Sequence, residues 1–259
     1  MLALLGDYVL GRGLYVYSGS YIEALTRVGI SEQATRSTLT RMVNRGLLQR
    51  RRQGRRMYFG LTSRSEAILR DGGTRMWDTS AVNAESGRSW TLVSFSLPEA
   101  WHRPRHDLRS RLIWSGFGML HAGLWIAPSQ ADVTGLIAEL GLEDYVRVFA
   151  AEPVHPADLG RLIRDAYHLT ELTGQYHGFL RRWDRRRPLP GLPDDLAREL
   201  LLMAEWLRII RADPRLPLAH LPADWPASRA QQIFRQTHAS LHPPAARIAA
   251  GLLETITAE

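Results

Sequence analysis

Residues 31–46, SEQATRSTLTRMVNRG, run directly into residues 47–61, LLQRRRQGRRMYFGL. Ser31 is a favoured helix cap, and apolar side chains recur after it at helical spacing. The second segment predicts two strands joined at Gln53-Gly54, where glycine supplies the positive φ of a tight turn. A helix followed by a basic two-stranded wing is the order found in a winged helix-turn-helix, so this stretch predicts a domain that binds duplex DNA.

Both parts of this stretch carry side chains suited to DNA. The apolar face of the helix is predicted to point inward: Ala34, Thr38, Leu39, Met42 and Val43. The opposite face can donate hydrogen bonds to bases and phosphates through Gln33, Arg36, Ser37, Thr40, Arg41 and Asn44. The wing adds cations that repel one another unless an anion lies among them: Arg50, Arg51, Arg52, Arg55 and Arg56. A solvated helix face and a solubilising charge run are the alternative interpretations.

The charge of the chain is concentrated in its first third. Residues 1–75 carry thirteen arginines and five acidic residues, a net charge of +8, whereas residues 76–259 carry twenty arginines and twenty-one acids. The basic residues are all arginine, which suits bidentate contacts with phosphate and guanine, although the codon bias of a GC-rich genome is the alternative explanation for the missing lysine. Because phosphate neutralisation is local, a basic segment beside a neutral remainder predicts a polyanionic partner for that segment alone.

The sequence predicts an α+β, multidomain fold. Residues 1–75 form the N-terminal winged helix-turn-helix domain, and residues 76–88 a polar linker. Residues 89–153 show the order strand, helix, strand, helix, strand, with one strand over 116–128, which favours a central ferredoxin-like α/β domain. Residues 154–259 are predicted to form a C-terminal α-helical domain that binds an effector.

Four helices are expected in that last domain. They span 158–187, 194–211 and 228–241, with a shorter helix after Pro243-Pro244. The expected break at the proline pair rests on the loss of two backbone donors and on the clash of each ring with the preceding turn.

Neither a catalytic motif nor a metal ligand set stands out. The chain lacks cysteine, a nucleophile elbow and a phosphate-binding loop. His102 and His106 lie four residues apart, as do His238 and His242, but prolines disturb both pairs and neither has a Cys or Glu at ligand spacing. We therefore expect no catalytic residue, metal or cofactor. The opening apolar run is too short for a signal peptide or a membrane span, so we expect no membrane partner.

Six phrases of the chain, in order, resemble the PaaX family of phenylacetate-degradation repressors. They are LLGDYVLGRG (4–13), ATRSTLTRMVNRGLL (34–48), GRRMYFGLT (54–62), LIWSGFGML (112–120), YHLTE (167–171) and DPRLPLAHLPADWPASRAQQIF (213–234). The resemblance covers nearly the whole chain. It implies a cytoplasmic, homodimeric transcriptional repressor with three domains, the central one similar to small CRISPR-associated ferredoxin-like nucleases. The implied partners are a double-stranded DNA operator and an aromatic acyl-coenzyme A effector, phenylacetyl-coenzyme A in this family.

The effector is predicted to bind the helical domain. Arginines that can hold its phosphates cluster around Trp183 and Asp184 at positions 181, 182, 185, 186 and 187. The full predicted set adds aromatic walls and the YHLTE phrase of the resemblance: Tyr167, His168, Arg182, Trp183, Arg186, Trp206 and Trp225. A solvated helix end for the arginines and ordinary core positions for the tryptophans remain open.

Two other functions are considered. Ferredoxin-like nucleases place a metal-binding Asp at the end of the first strand, but here that strand ends Ser94-Phe95-Ser96, with no acid before Glu99. Because this Asp is missing, we expect a non-enzyme whose central domain dimerises or transmits a signal. Metal-dependent nucleic-acid processing by the central domain is kept as the alternative function. A DNA-binding protein without a ligand is the third possibility.

Overall fold

Two antiparallel sheets and a set of helices make up the described chain. A computed structural model describes residues 1–77, 80, 89–128, 130–152, 154, 158–185 and 191–257. Within these ranges the helices are α1 Leu2–Tyr8, α2 Ser18–Thr26, α3 Glu32–Asn44, α4 Ser63–Trp77, α5 His102–Trp114, α6 Thr134–Leu140, α7 Leu159–Tyr167, α8 Leu169–Trp183, α9 Asp195–Ala212 and α10 Ala227–Leu252. The strands are β1 Leu14–Tyr17, β2 Leu48–Gln53, β3 Arg56–Leu61, β4 Trp90–Phe95, β5 Gly118–His121, β6 Leu124–Ala127, β7 Val146–Ala151 and β8 Thr255–Thr257. The predicted mixed α+β class is confirmed.

The chain divides into two compact units, and each unit is assembled from segments that are not consecutive in the sequence. Unit 1 contains Met1–Thr79, Phe179–Leu207 and Ala230–Glu259, and unit 2 contains Ser80–Gly178 and Arg208–Arg229. This grouping reflects contacts rather than position along the chain, so the predicted boundaries at 75, 88 and 153 stay a prediction. The predicted linker begins inside α4, which extends to Trp77, and most of it lies outside the described residues.

The sheet of unit 1 has the strand order β2-β3-β1-β8. β2 and β3 form the predicted hairpin, with Gln53 opposite Arg56. The turn is therefore Gly54-Arg55, one residue later than predicted, and Gly54 has a φ of 59°. The fourth strand comes from the far end of the chain, because β8 pairs with β1 and places Ile256 opposite Tyr15.

Helix α3 begins where the sequence predicts. The hydroxyl oxygen of Ser31 accepts a hydrogen bond from the backbone N–H of Ala34 at 3.2 Å, as expected of an N-cap. The inward face differs by one residue from the prediction, since Ala34 is exposed and Thr35 is buried. The buried residues of this helix are Thr35 and Leu39, one turn apart. The Thr35 hydroxyl donates a hydrogen bond to the carbonyl oxygen of Ser31 at 3.2 Å.

The predicted break at Pro243-Pro244 is wrong, because α10 continues through both prolines. Each interior proline costs a helix about 3 kcal/mol in lost hydrogen bonding and steric clash. Leu241 before the pair and Ala245 and Ala249 after it are all buried on this helix. Tertiary packing on both sides of the prolines therefore holds the helix together, and no separate short helix follows it up to residue 257, where the described chain ends.

A buried polar cluster joins α1, α9 and α10 inside unit 1. The Tyr8 hydroxyl donates to Glu199, which is fully buried and also contacts His238 and His242. Burial alone raises the pKa of Glu199, but hydrogen bonds from His238, Tyr8 and His242 outweigh it and lower that pKa. Burial opposes a charged His238, yet Asp7 and Glu199 raise the pKa of its imidazole to about 9.

The sheet of unit 2 has the order β5-β6-β4-β7, with all neighbours antiparallel. Its elements follow the sequence β4-α5-β5-β6-α6-β7, which is the ferredoxin-like arrangement. The single strand predicted over 116–128 is wrong, because this segment is the hairpin β5-β6. Gly123 turns the chain at a φ of 85°, and an added Cβ there would lie 2.7 Å from the carbonyl oxygen of Phe95.

The predicted helix 158–187 is also wrong, since His168 divides it into α7 and α8. His168 takes a left-handed conformation with a φ of 45°. The preceding residue is anchored in unit 2, where the buried Tyr167 hydroxyl donates to the carbonyl oxygen of Ile126 at 2.6 Å. Trp90, Ile126 and Leu216 pack in the same cluster as Tyr167, so burial of this tyrosine accounts for the break.

We expect Gly118→Ala to destabilise the protein by about 1 to 3 kcal/mol, as overpacking does elsewhere. A Cβ on Gly118 would lie 2.8 Å from the carbonyl oxygen of Ala166 and from the ring of Tyr167. Gly135→Ala in α6 is the matched control, because nothing lies within 4 Å of its added Cβ. Urea unfolding should show a lower midpoint for the first variant only, and equal midpoints would contradict the close packing of β5 on α7.

Candidate nucleic-acid interface

The outward face of α3 is exposed as predicted. Six side chains lie on it: Gln33, Arg36, Ser37, Thr40, Arg41 and Asn44. Arg36 pairs with Glu32 one turn earlier, at 2.7 Å, and both side chains are about 60% exposed. A pair so exposed contributes little stability, so phosphate or a base can displace Glu32 at small cost. Arg41 donates to the hydroxyl oxygen of Thr38 at 3.1 Å.

A backbone motif fixes the hairpin against the end of α3. Gly46 has a φ of 66°, and its N–H donates to the carbonyl oxygen of Val43 at 2.9 Å. The next N–H, of Leu47, donates to the carbonyl oxygen of Met42 at 2.8 Å. These two bonds form a Schellman motif, which ends the helix and sets the direction of the chain into β2. Local backbone hydrogen bonds therefore direct the hairpin away from the end of α3, in the helix-then-hairpin order that the sequence predicts.

The five wing arginines divide into two groups. Arg50, Arg52 and Arg55 are exposed around the turn, and within the described ranges no carboxylate pairs with any of them. Arg51 and Arg56 are instead anchored. Arg51 lies 6.0 Å from the ring centre of Tyr15 and donates to the carbonyl oxygen of Thr257 at 3.1 Å.

Arg56 is anchored more firmly, by a carboxylate that the sequence reasoning missed. Its guanidinium lies 5.2 Å from the ring centre of Tyr17 and donates to Glu254 at 2.5 Å. The Tyr58 hydroxyl donates to the same carboxylate at 2.6 Å. The hydrogen bond from Tyr58 and then that from Arg56 lower the pKa of Glu254. Residue spacing offers no signal for this contact, because Glu254 lies 198 residues from Arg56.

We expect Glu254→Gln to weaken unit 1 in a pH-dependent way. The lowered pKa of Glu254 means that its stabilisation is present above the unfolded-state pKa, about 4.3, and is lost as the pH falls through the lower folded-state pKa. The difference in urea midpoint between wild type and variant should therefore be largest at neutral pH and shrink below about pH 4. A difference that stays constant over this range would show that the carboxylate charge has no part in the contact.

The residues predicted to bind an effector are distributed over both units. In unit 1, Trp183 and Trp206 are each about 1% exposed. The indole of Trp183 donates to Glu205 at 2.7 Å, and the exposed Arg182 pairs with the same carboxylate. Trp206 stacks on Phe234 with ring centres 4.9 Å apart. The structure therefore brings Arg182 and Trp183 together at one carboxylate and places both tryptophans in the core.

Three of the remaining predicted effector residues belong to unit 2: Tyr167, His168 and Trp225. Tyr167 is buried and bonded as described above, while His168 is exposed. Trp225 is half-buried against the edge of Tyr176, at 5.9 Å between ring centres. Arg186 lies outside the described residues. In the described part of the chain, no helix is both long enough and apolar enough to cross a membrane.

Comparison with known proteins identifies the class to which this arrangement belongs. Three family models match in succession: PaaX-like protein over residues 1–65, PaaX protein central Cas2-like domain over 83–163, and PaaX-like protein C-terminal domain over 167–251. The chain belongs to the PaaX family, as its resemblance predicted. It is 30% identical to the Transcriptional repressor PaaX of Escherichia coli (strain K12), over 94% of this chain and 79% of that protein.

A solved structure shares the fold. An uncharacterized protein from Mycobacterium tuberculosis superposes with a TM-score of 0.59 at 24% sequence identity, covering 95% of each chain. At this identity the likeness concerns the fold alone.

Proposed function

We propose that this protein is a transcriptional repressor that binds an operator in double-stranded DNA through a winged helix-turn-helix. The observation that carries the proposal is the hydrogen-bonded junction of α3 with an arginine hairpin. The α3 face is exposed along its length, and the Schellman motif at Gly46 orients the hairpin from the end of that helix. The similarity to an Escherichia coli protein named as a transcriptional repressor supports the same function.

In this proposal the two parts of the interface have different tasks. Helix α3 enters the major groove, where Arg36, Arg41 and Asn44 can bond to base edges. The arginines at the turn contact phosphates, which supply affinity but no sequence preference. Arg51 and Arg56 do not need to reach DNA, because their contacts with β1 and with Glu254 hold the base of the wing.

The wing can be tested on duplex DNA of random sequence. If Arg50 and Arg55 each neutralise one phosphate, replacing both by Ala should reduce the magnitude of the slope of log affinity against log salt by about 2. The control is Arg103→Ala with Arg161→Ala, whose side chains are 93% and 76% exposed in unit 2. The control should keep the wild-type slope. An unchanged slope in the wing variant would remove these arginines from the DNA interface.

We further propose that the repressor acts as a homodimer in the cytoplasm. Two winged helices would read half-sites spaced by about one helical turn of DNA or a multiple of it. Strand β7 lies at the edge of its sheet and leaves Val148 and Phe149 39% and 53% exposed. Exposed apolar edge strands favour pairing with another chain, which supports the central domain as the dimer contact. Ser94 in β4 and Ser96 directly after it stand where ferredoxin-like nucleases place a metal-binding Asp, which supports a domain without nuclease chemistry.

The proposed effector is an aromatic acyl-coenzyme A, with phenylacetyl-coenzyme A implied by the family. Its phosphates would contact the exposed arginines at the end of α8, Arg181, Arg182 and Arg185. The buried Trp183 and Trp206 reach an acyl group only if the core around them rearranges. To move operator occupancy from 99:1 to 1:99, the effector must bind the released form about 10⁴-fold more tightly than the DNA-bound form.

We expect calorimetry on the full-length protein to detect phenylacetyl-coenzyme A and to show weaker binding for Arg182→Ala with Arg185→Ala. Free phenylacetate lacks the phosphates and should bind poorly to wild type and variant alike. Arg103→Ala serves as the control for loss of a surface charge. Wild-type affinity in the double variant would place the coenzyme site elsewhere, while the DNA proposal would stand on its own test.

A further inference from the structure

We propose that Glu199, His238 and His242 form a binding site for a divalent transition metal ion of the zinc type. The inference concerns unit 1 alone and does not depend on the proposed function. One potential ligand atom from each residue lies within 4.8 Å of the other two. A carboxylate and two imidazoles are a donor set that zinc takes in proteins, with a fourth position left for water or another ligand.

One of the two distances from Glu199 to the histidines already has the length expected in a metal site, and the other is shorter. The Oε1 atom of Glu199 lies 2.7 Å from Nδ1 of His242 and 3.3 Å from Nε2 of His238. A tetrahedral zinc ion bound at about 2.0 to 2.1 Å separates its ligand atoms by about 3.3 Å. Binding an ion would therefore require the hydrogen-bonded pair of Glu199 and His242 to move apart, whereas Glu199 and His238 already have the required separation.

The backbone holds the ligands in this position. His238 and His242 lie one turn apart on α10, and their rings stack with centres 5.1 Å apart. Because α10 continues through Pro243-Pro244, the proline pair does not disturb this spacing. Glu199 comes from α9, so the carboxylate that the sequence did not supply near the histidines arrives from another helix.

The surroundings of the three ligands also suit a cation. The Tyr8 hydroxyl donates to Oε2 of Glu199, which leaves Oε1 directed at the two histidines. Such outer contacts orient a ligating carboxylate and strengthen metal binding. Oδ2 of Asp7 is buried without a hydrogen-bond partner among the described residues, and it lies 4.0 Å from Nε2 of His238. Asp7 lies outside the group of three ligands and adds a negative charge beside His238.

Access to the site is provided by His242, whose side chain is 41% exposed, whereas that of Glu199 is fully buried. An ion bound here would join α1, α9 and α10, three helices that come from the start, the middle and the end of the chain. The competing explanation is a metal-free network of hydrogen bonds and charges among the same residues. Only the metal site predicts that the protein takes up one equivalent of a metal ion.

The test uses full-length protein without a histidine tag, freed of metal by a chelator and then titrated with Co²⁺. We expect one equivalent to produce the visible absorption of a low-coordinate cobalt site, and one equivalent of Zn²⁺ to abolish it. His242→Ala and Glu199→Gln should each lower the affinity at least about tenfold, since even outer-shell changes cost that much. His106→Ala is the matched control, because His102 and His106 have the same spacing on α5.

Absence of a saturable cobalt signal from folded wild-type protein would overturn the proposal. Equal metal uptake by wild type and His242→Ala would overturn it as well. Because Glu199 is fully buried and its variant can fail to fold, the partly exposed His242 decides the outcome by itself, with folding checked by circular dichroism. Loss of binding in His106→Ala instead would assign the metal to α5 and refute the site at α10.

Discussion

The pairing of β8 with β1 is the interaction on which the arrangement of unit 1 depends. It makes the end of the chain a strand of the sheet that carries the arginine hairpin, and it brings Glu254 beneath Arg56. Contacts of Tyr8 with Glu199 and of Arg27 with Asp194 join the same opening segment to α9 and to the turn before it. The proposed DNA-binding elements are therefore not a module attached by one linker. Their stability depends on segments that lie about two hundred residues away.

Positive charge is compensated unequally along the hairpin. In the proposed function the compensated arginines support the wing, and the arginines at the turn contact DNA. The cations nearest the sheet are compensated by tyrosine rings, a backbone carbonyl and Glu254. Those at the turn face solvent, where mutual repulsion favours an anion. In the proposed complex with DNA, a polyanion would stabilise the turn, while the contacts at the base of the wing do not require DNA.

Several elements could be predicted from the sequence because their causes are local. Ser31 caps α3, Gly54 turns the hairpin, and the exposed face of α3 follows from its helical period. Local signals misled where packing outweighed them. Pro243-Pro244 lies inside a helix because buried side chains flank the pair, and one predicted strand is two because Gly123 fits closely against Phe95.

The sequence by itself determined the mixed fold class, the basic first third and the family, since composition, short-range spacing and ordered motifs carry that information. Tertiary structure alone decided that β8 completes the first sheet, that Glu254 anchors the wing, and that Glu199 reaches His238 and His242. It also placed Trp183 and Trp206 in the core. The physical reason is that a carboxylate or an aromatic ring acquires its partner only when distant elements pack, and no local pattern of residues encodes that partner.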